Sequence, residues 1–180
     1  NGTQDNEGIR VSDGTVSSTT GAINMIGNGN GSGNSNNGAF FDGTSSINTT
    51  SGNLTVIGNG ATSGTGSVLF GIRVDGPATV QTVDGTISLN GTGGPGNGIY
   101  NSGLALFVGA SVSASGMGII DINALGGTGF SRPIGFYLQS SLLQTNGGGI
   151  SIDATGGVST GDFAAGFVSE TPGAIVRDVN

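Results

Sequence analysis

The chain has 180 residues, of which 39 are glycine and 4 are proline, and its formal net charge is −7, with four basic residues that are all arginine. It contains no cysteine, histidine or tryptophan, which excludes disulfides, zinc sites built on Cys or His, and catalysis by an imidazole or a thiolate. The acidic balance argues against a nucleic-acid partner, because binding phosphates requires a basic face, and no run of about 18 apolar residues is present that would span a membrane.

This glycine content approaches the level at which chains without a repeat are disordered, about 25–30% of Gly plus Pro. Two features oppose disorder. The mean hydropathy is +0.11 and only 8% of residues are charged, and the apolar residues gather into short alternating runs. We therefore predict a folded chain.

The first predicted element is a short apolar strand that opens with glycine and recurs six times. The copies begin at Gly8, Gly38, Gly71, Gly103, Gly135 and Gly166, which are 30, 33, 32, 32 and 31 residues apart. A fixed period of this length indicates one supersecondary unit stacked on itself, because one unit alone is too small to bury its apolar face. Apolar residues before some of these glycines, as at 68–70, predict that the first strand extends to the N-terminal side of its glycine.

The second predicted strand in each repeat is centred on an aliphatic residue. The aligned residues are Val16, Ile47, Val80, Val112, Leu143 and Ile175. Two positions later the repeats carry Ser18, Thr49, Thr82, Ala114 and Thr145. Hydroxyl groups at these positions either point inward and hydrogen-bond along the stack or line a corner of the chain.

The third predicted strand follows a second glycine series, at Gly21, Gly52, Gly85, Gly118 and Gly149. It carries one apolar column of Ile23, Leu54, Ile87, Ile120 and Ile150 and another of Met25, Val56, Leu89, Ile122 and Ile152. Polar residues separate the two columns at Asn24, Thr55, Ser88, Asp121 and Ser151. This alternation predicts a strand with one apolar face turned inward and one polar face turned outward.

Three short strands per repeat, each lying over its copy in the preceding repeat, predict an all-β parallel β-helix, or β-solenoid, of about 5.5 turns of 30–33 residues. Glycine at the strand starts serves corners that need a positive φ or close packing. The remaining connections are rich in Gly and Asn and span residues 27–37, 58–70, 91–102, 126–134 and 156–165. Loops of this length are either functional or solvent-facing spacers, and their composition favours spacers.

The strand repeats resemble those of filamentous haemagglutinin-type adhesins and related autotransporter passengers of bacteria. The segments that carry the resemblance are 52–58, 85–91 and 149–157, and the pattern extends over most of the chain. The resemblance implies a right-handed β-helix, export across an outer membrane, and a role in surface attachment or filament formation. It defines no functional residue, and the turns here, of about 32 residues, are longer than those typical of that family.

Carboxylates are the remaining conventional catalytic groups. Cleavage of a glycosidic bond needs two of them within several ångströms, but the predicted alignment offsets Asp121 from Asp153 by two positions. The Asp-Gly pairs that begin at Asp13, Asp42, Asp75 and Asp84 are interpreted as turns, with Asp capping its own backbone and Gly in the left-handed region. The loops carry too few aspartates for a calcium β-roll, and no cofactor or metal ligand is predicted.

The outward column of the first strand is the candidate contact stripe. It runs through Arg10, Phe40, Arg73, Ala105, Tyr137 and Val168, and exposed large apolar or planar side chains often mark a contact. Arg10, Phe40, Arg73 and Tyr137 are the candidate contact residues, and Arg10 and Arg73 are placed to flank Phe40 in a cation–π ladder. Loops that fold back over the stripe, a neighbouring molecule and stacked sugar rings are three alternative partners of these side chains.

Residues 1–180 are interpreted as one solenoid segment. Neither end shows a capping helix or a charged plug, so we expect that longer chain flanks it or that copies stack end to end into a filament. The predicted function is that of a secreted structural or adhesive module without catalysis at a bacterial cell surface, whose partners are further copies of itself and possible host or cell-surface glycans. A carbohydrate-active β-helix, lyase or hydrolase, and a glycan-binding fibre module remain the alternatives.

Overall fold

A computed structural model describes residues 3–62, 64–170 and 172–179. Over these residues the chain forms nineteen β-strands and no helix. Seventeen of the strands build three parallel sheets, here called sheets A, B and C, each of which takes one strand from every turn. The chain is therefore a β-solenoid of about five turns with three strands per turn, as predicted.

Sheet A contains the first strand of each turn: β1 (Ile9–Ser12), β4 (Ala39–Asp42), β7 (Ile72–Asp75), β10 (Leu104–Phe107), β14 (Phe136–Gln139) and β18 (Phe167–Glu170). Sheet B contains the second: β2 (Thr15–Ser18), β5 (Ser46–Thr49), β8 (Thr79–Thr82), β11 (Ser111–Ala114), β15 (Leu142–Thr145) and β19 (Ile175–Asp178). Sheet C contains the third: β3 (Ile23–Asn28), β6 (Leu54–Asn59), β9 (Ile87–Thr92), β12 (Ile120–Leu125) and β16 (Ile150–Thr155). A fourth, two-stranded sheet pairs β13 (Thr128–Gly129) with β17 (Val158–Ser159).

The register of sheet C is the one that the sequence predicts. Ile87 lies over Leu54 and under Ile120, and Leu89 lies between Val56 and Ile122. The inward residues of the three sheets form one continuous core, in which side chains of the middle turns such as Leu54 and Ile87 are fully buried. Alternation fixes the face of each strand, because a slip of one residue would turn the whole apolar set to solvent.

The predicted register of the last strand of sheet B is wrong by one residue. Val176, and not Ile175, lies opposite Leu143, while Ile175 lies opposite Leu142. Both strands carry two adjacent apolar residues, so alternation alone does not define which one faces inward. The polar residue two positions after Val176, Asp178, lies opposite Thr145.

The hydroxylated column of sheet B points inward and hydrogen-bonds along the stack. The Thr49 hydroxyl donates to the Thr82 hydroxyl at 3.0 Å, and both side chains are buried. Thr82 Oγ1 also accepts the Gly85 N–H at 3.0 Å. Ala114 interrupts the column, and Thr145 donates to Asp178 at 2.9 Å in the next turn. Of the two predicted roles for this column, the hydrogen-bonded one is confirmed.

The glycines that open the first strands are required by close packing and not by a positive φ. A Cβ on Gly71 would lie 2.6 Å from Gly103 O and would overlap the backbone N of Thr92. Equivalent overlaps occur at Gly8, Gly38, Gly103 and Gly135, each against the end of a third strand. The chain leaves sheet C and enters sheet A at the same place, where two backbones meet without room for a side chain.

The connections after sheet C are ordered layers and not solvent-facing spacers, so that interpretation is wrong. We call them the side lobe: residues 29–37, 60–62, 64–70, 93–102, 126–134 and 156–165. Successive layers are hydrogen-bonded through backbone groups, from Ala61 N to Asn36 O at 3.0 Å and from Gly127 N to Asn101 O at 2.7 Å. Buried Asn101 ties three layers together, because its side chain accepts from Leu69 N and donates to Thr128 O.

The side lobe packs on the outer face of sheet A and forms a second, smaller core there. Its buried members are Phe70 and Ile134 from the lobe and Ala105 and Tyr137 from the sheet. As a result, β10 and β14 are each buried at three consecutive positions instead of alternate ones. β4 has the same burial pattern, and there Phe40 lies between Arg10 and Arg73. Phe70 belongs to this second core and Val68 packs against it. Both precede β7, which begins at Ile72, so the predicted extension of the first strand before its glycine is wrong.

Candidate contact surface and aromatic pocket

The candidate contact residues occupy one column on the outer face of sheet A, as predicted. Arg10 pairs with Phe40, and Phe40 pairs with Arg73. Arg73 pairs with Ala105, and Ala105 pairs with Tyr137. The structure thus brings all four candidate contact residues onto one line that runs along the stack.

The predicted cation–π ladder is confirmed. The guanidinium carbons of Arg10 and Arg73 lie 5.1 Å and 4.7 Å from the centroid of the Phe40 ring. Each arginine also forms an ion pair, Arg10 with Asp42 at 2.6 Å and Arg73 with Asp75 at 2.6 Å. Each cation–π contact contributes about 0.5–1 kcal/mol to stability at an exposed site.

The stripe is not an open aromatic surface, because the side lobe covers most of it. Phe40 is 9% exposed and Tyr137 only 1% exposed, so the expectation of exposed rings is wrong at these two positions. Arg10 and Arg73 keep part of their side chains at the surface, with relative exposures of 49% and 24%. Of the three alternative partners, loops that fold back are the one present here, and the role of the stripe as a contact stays a prediction.

A left-handed kink precedes each of the first five strands of sheet A, once ahead of β1 and then in four layers of the side lobe. It consists of Asp5, Ser35, Val68, Tyr100 and Arg132, whose φ angles are 54°, 56°, 63°, 59° and 58°. Each kink residue donates its N–H to the next layer, for example Val68 to Ile99 O at 2.8 Å and Arg132 to Phe163 O at 2.7 Å. A positive φ is unfavourable for these residue types and most of all for a β-branched one. The stacked hydrogen bonds therefore hold Val68, Tyr100 and Arg132 in a conformation that a free loop would avoid.

Between the side lobe and sheet A lies a pocket of about 240 Å³, here called the aromatic pocket. Its rings form a continuous series in which Phe70 and Phe107 are 5.6 Å apart, Phe107 and Tyr137 are 5.5 Å apart, and Tyr137 and Tyr100 are 5.9 Å apart. Phe70 and Tyr137 are buried, whereas Tyr100 and Phe107 are half-buried. The remaining lining residues are Val68, Arg73 and Gln139.

One end of the pocket is fixed by an ionic network around Glu170. The Tyr137 hydroxyl donates to Glu170 Oε2 at 2.5 Å, and Arg132 donates to Glu170 Oε1 at 2.9 Å. The hydrogen bond from Tyr137, followed by that from Arg132, holds the pKa of Glu170 below its ordinary value. Burial, together with the neighbouring carboxylate, raises the pKa of Tyr137 to about 12, so this phenol remains a neutral donor over the physiological range.

The Asp-Gly segments form turns, but with a different hydrogen-bonding pattern from the predicted one. Asp13 accepts the Thr44 N–H at 2.9 Å and Asp84 accepts the Met117 N–H at 3.0 Å, each in the following turn of the solenoid. Asp13 itself takes the left-handed conformation, with φ 54°, and Gly43 does so with φ 60°. These carboxylates link adjacent turns and do not cap their own backbone.

The carboxylates on sheet C keep the predicted offset. Asp121 lies beside Ser151, and Asp153 lies beside Asn123. A shallow polar depression of about 250 Å³ on this face includes Asp153 as its one acidic lining residue among the described positions, whereas glycoside hydrolysis uses a pair. The described part of the chain holds no cluster of three or more metal-ligating side chains.

Within the described ranges no helix is long and apolar enough to cross a membrane. Sequence reasoning located the stripe but missed the residues that pack beside it, namely Phe70, Tyr100 and Arg132 of the side lobe and Phe107 of β10. The available signal was an aromatic or arginine residue near the end of the four later connections, at Phe70, Tyr100, Arg132 and Phe163. Comparison of the chain with protein-family models, with curated proteins and with solved structures finds no match.

Proposed function

We propose that this chain is a structural or adhesive solenoid module that works outside the cell, as a building block of a bacterial surface filament or a large adhesin, and that it carries out no catalysis. The observation that carries the proposal is the continuity of the core: the inward residues of the three sheets form one cluster that runs along the described turns. A stack of this kind is long and rigid. We therefore expect it to act as a spacer and to present an extended contact surface.

The two ends of the stack support assembly of copies end to end. At one end Ile9, Val11 and Val16 are only partly buried, and at the other Phe167 and Val176 are 42% and 43% exposed. Both ends offer parallel strands in the same order, so a second copy continues every ladder by a head-to-tail contact. Such contacts are heterologous and generate open filaments when the rotation does not close.

Electron microscopy and fibre diffraction of the purified chain test the assembly. We expect particles whose length grows with protein concentration and an axial repeat of about 4.7–4.9 Å, the spacing of hydrogen-bonded strands. A chain that stays monomeric at every concentration contradicts the proposal.

A matched pair of variants locates the contact. Val176→Lys places a charge at the open end, and Val108→Lys places the same charge at a position that is 64% exposed, between β10 and β11 in the middle of the stack. We expect shorter particles for Val176→Lys and unchanged ones for Val108→Lys. Equal effects of the two changes would argue for lateral association instead.

The absence of catalysis and the external location are tested separately. Several carboxylates already serve structural bonds, as Asp42 and Asp75 do with arginine and Asp13 does with Thr44 N. We expect no release of reducing sugar from a panel of polysaccharides.

The external location is tested on intact cells that produce the chain. We expect protease added to these cells to degrade it.

A further inference from the structure

The aromatic pocket has the composition of a small-ligand site. Ligand pockets are lined mainly by apolar and aromatic side chains with a few placed polar groups, and those for drug-sized ligands hold about 300–1,000 Å³. This pocket, at about 240 Å³, is just below that range, which suits one six-membered ring and not a larger ligand.

Two of the residues that line the pocket, Arg73 and Tyr137, belong to the contact stripe. Buried Ala105 stands in the column between Arg73 and Tyr137, two much larger side chains. The Ala105 methyl group separates these two side chains, and both of them line the pocket together with the half-buried rings of Tyr100 and Phe107. Aromatic faces carry negative charge density and attract positively polarised groups, which include the axial C–H groups of a sugar ring.

The polar groups of the pocket suit hydroxyl partners. Arg73 bonds to Asp75 through Nε and one terminal nitrogen, so the donors on its other terminal nitrogen stay available. Gln139 lies half-buried at the pocket and supplies both a donor and an acceptor. These groups match the alternating donors and acceptors that a polyol presents.

The charges around the pocket balance. Arg73 pairs with Asp75 at 2.6 Å, and Arg132, whose guanidinium lies 5.4 Å from the Tyr100 ring, pairs with Glu170 at 2.9 Å. Neither arginine presents an unpaired positive charge to a ligand. A neutral sugar is therefore favoured over an acidic one.

One wall of the pocket is built before any ligand arrives. Val68 and Tyr100 are both kink residues, with φ 63° and 59°, and strained backbone of this kind is concentrated at functional sites. Their N–H groups bond to Ile99 O at 2.8 Å and to Ser131 O at 3.2 Å, so the wall is held in place. Preorganisation lowers the cost of binding.

We propose that the aromatic pocket binds one neutral hexopyranose unit of a glycan, which stacks on Tyr100 and Phe107 and hydrogen-bonds to Gln139 and Arg73. This inference rests on the adhesive side of the proposed function and gives it a ligand class. End-to-end assembly does not depend on it.

Intrinsic tyrosine fluorescence reports on this site alone, because the chain has 2 tyrosines and no tryptophan and both tyrosines line the pocket. The probes are methyl glycosides of glucose, galactose and mannose, with a methyl glucuronide as the charged comparison. We expect a saturable change with at least one neutral glycoside and weaker binding of the glucuronide. No saturation with any neutral glycoside, or tighter binding of the glucuronide, overturns the proposal.

Variants assign the binding to the pocket. Gln139→Ala is expected to weaken glycoside binding about tenfold, which corresponds to one or two hydrogen bonds. Gln81→Ala, on the outer face of sheet B, is expected to leave the affinity unchanged.

Tyr100→Ala is expected to abolish glycoside binding, whereas Tyr100→Phe, which keeps the ring, is expected to retain it. Equal affinity in Gln139→Ala and Gln81→Ala overturns the proposal, as does loss of binding in Tyr100→Phe with the fold intact by circular dichroism. Particle length in the assembly assay stays the same throughout, so failure of the pocket is distinguishable from failure of the filament.

Discussion

Buried hydroxyl groups stabilise this solenoid only where each has a partner in the adjacent turn. Thr82 is the most connected of them, since its oxygen accepts from both Thr49 and the Gly85 N–H at 3.0 Å. A buried donor without a partner costs about 1–3 kcal/mol. Replacing Thr82 is therefore expected to leave more buried donors without a partner than replacing Thr49.

Thr82→Val is expected to lower the free energy of unfolding by about 2–4 kcal/mol, because it leaves two buried donors unpaired, the Thr49 hydroxyl and the Gly85 N–H. Thr49→Val keeps the bond between Gly85 and Thr82, so it is expected to cost about 1 kcal/mol. Urea denaturation of both variants measures the difference. Equal losses would show that the Thr82 oxygen has no greater role than that of Thr49.

Tyr137 is expected to titrate with a pKa of about 12, against about 10 for an unperturbed tyrosine. The raised pKa means that the neutral phenol is favoured in the folded chain. Its contribution to stability is therefore fully present below about pH 10 and is lost as the pH rises through about 12. Phenolate absorbance in a Tyr100→Phe background isolates this group, and a Glu170→Gln change is expected to lower its pKa. A midpoint near pH 10 in the folded chain would contradict the buried hydrogen bond.

At the scale of the strands, the corner glycines set the distance between sheet C and sheet A. Gly71→Ala is expected to destabilise the chain by about 1–3 kcal/mol or more, because its Cβ meets backbone atoms that cannot rotate away. Gly14→Ala is the matched control, since its Cβ would lie 3.4 Å from the Val11 side chain and its φ is outside the left-handed region. Thermal unfolding compares the two. Equal melting temperatures would mean that the corner has room for a side chain.

The sheets were predictable because each strand repeats one binary pattern at a nearly constant interval. The column from Ile23 to Ile150 and the column from Arg10 to Val168 both follow from that pattern alone. The prediction failed where the pattern was degenerate, as at Ile175 and Val176, which are both apolar.

The side lobe was not predictable, because its backbone conformation repeats from turn to turn whereas its residue types do not. Ser35, Val68, Tyr100 and Arg132 share a backbone angle and a hydrogen-bond ladder, yet they share no side-chain property. No alternation marks these positions, and Gly- and Asn-rich neighbours are typical of exposed loops. The pocket was missed for the same reason, since its outer wall belongs to this lobe.

At the scale of the whole molecule, each turn contacts only its neighbours, so stability varies along the stack. The inward residues of β9 are fully buried, whereas those of β16 at the end of sheet C are only partly buried. In such one-dimensional arrays, local opening starts where neighbours are fewest.

Amide hydrogen exchange is therefore expected to show strong protection at Ile87 and Leu89 in β9 and weak protection at Ile150 and Ile152 in β16. If copies stack head to tail, a second chain supplies the missing neighbour, and protection in β16 rises with protein concentration while that in β9 stays constant. The Val176→Lys variant is expected to reduce this rise, since it places a charge at the same end of the stack. Uniform protection along the chain at all concentrations would contradict both the nearest-neighbour description of stability and the end-to-end contact.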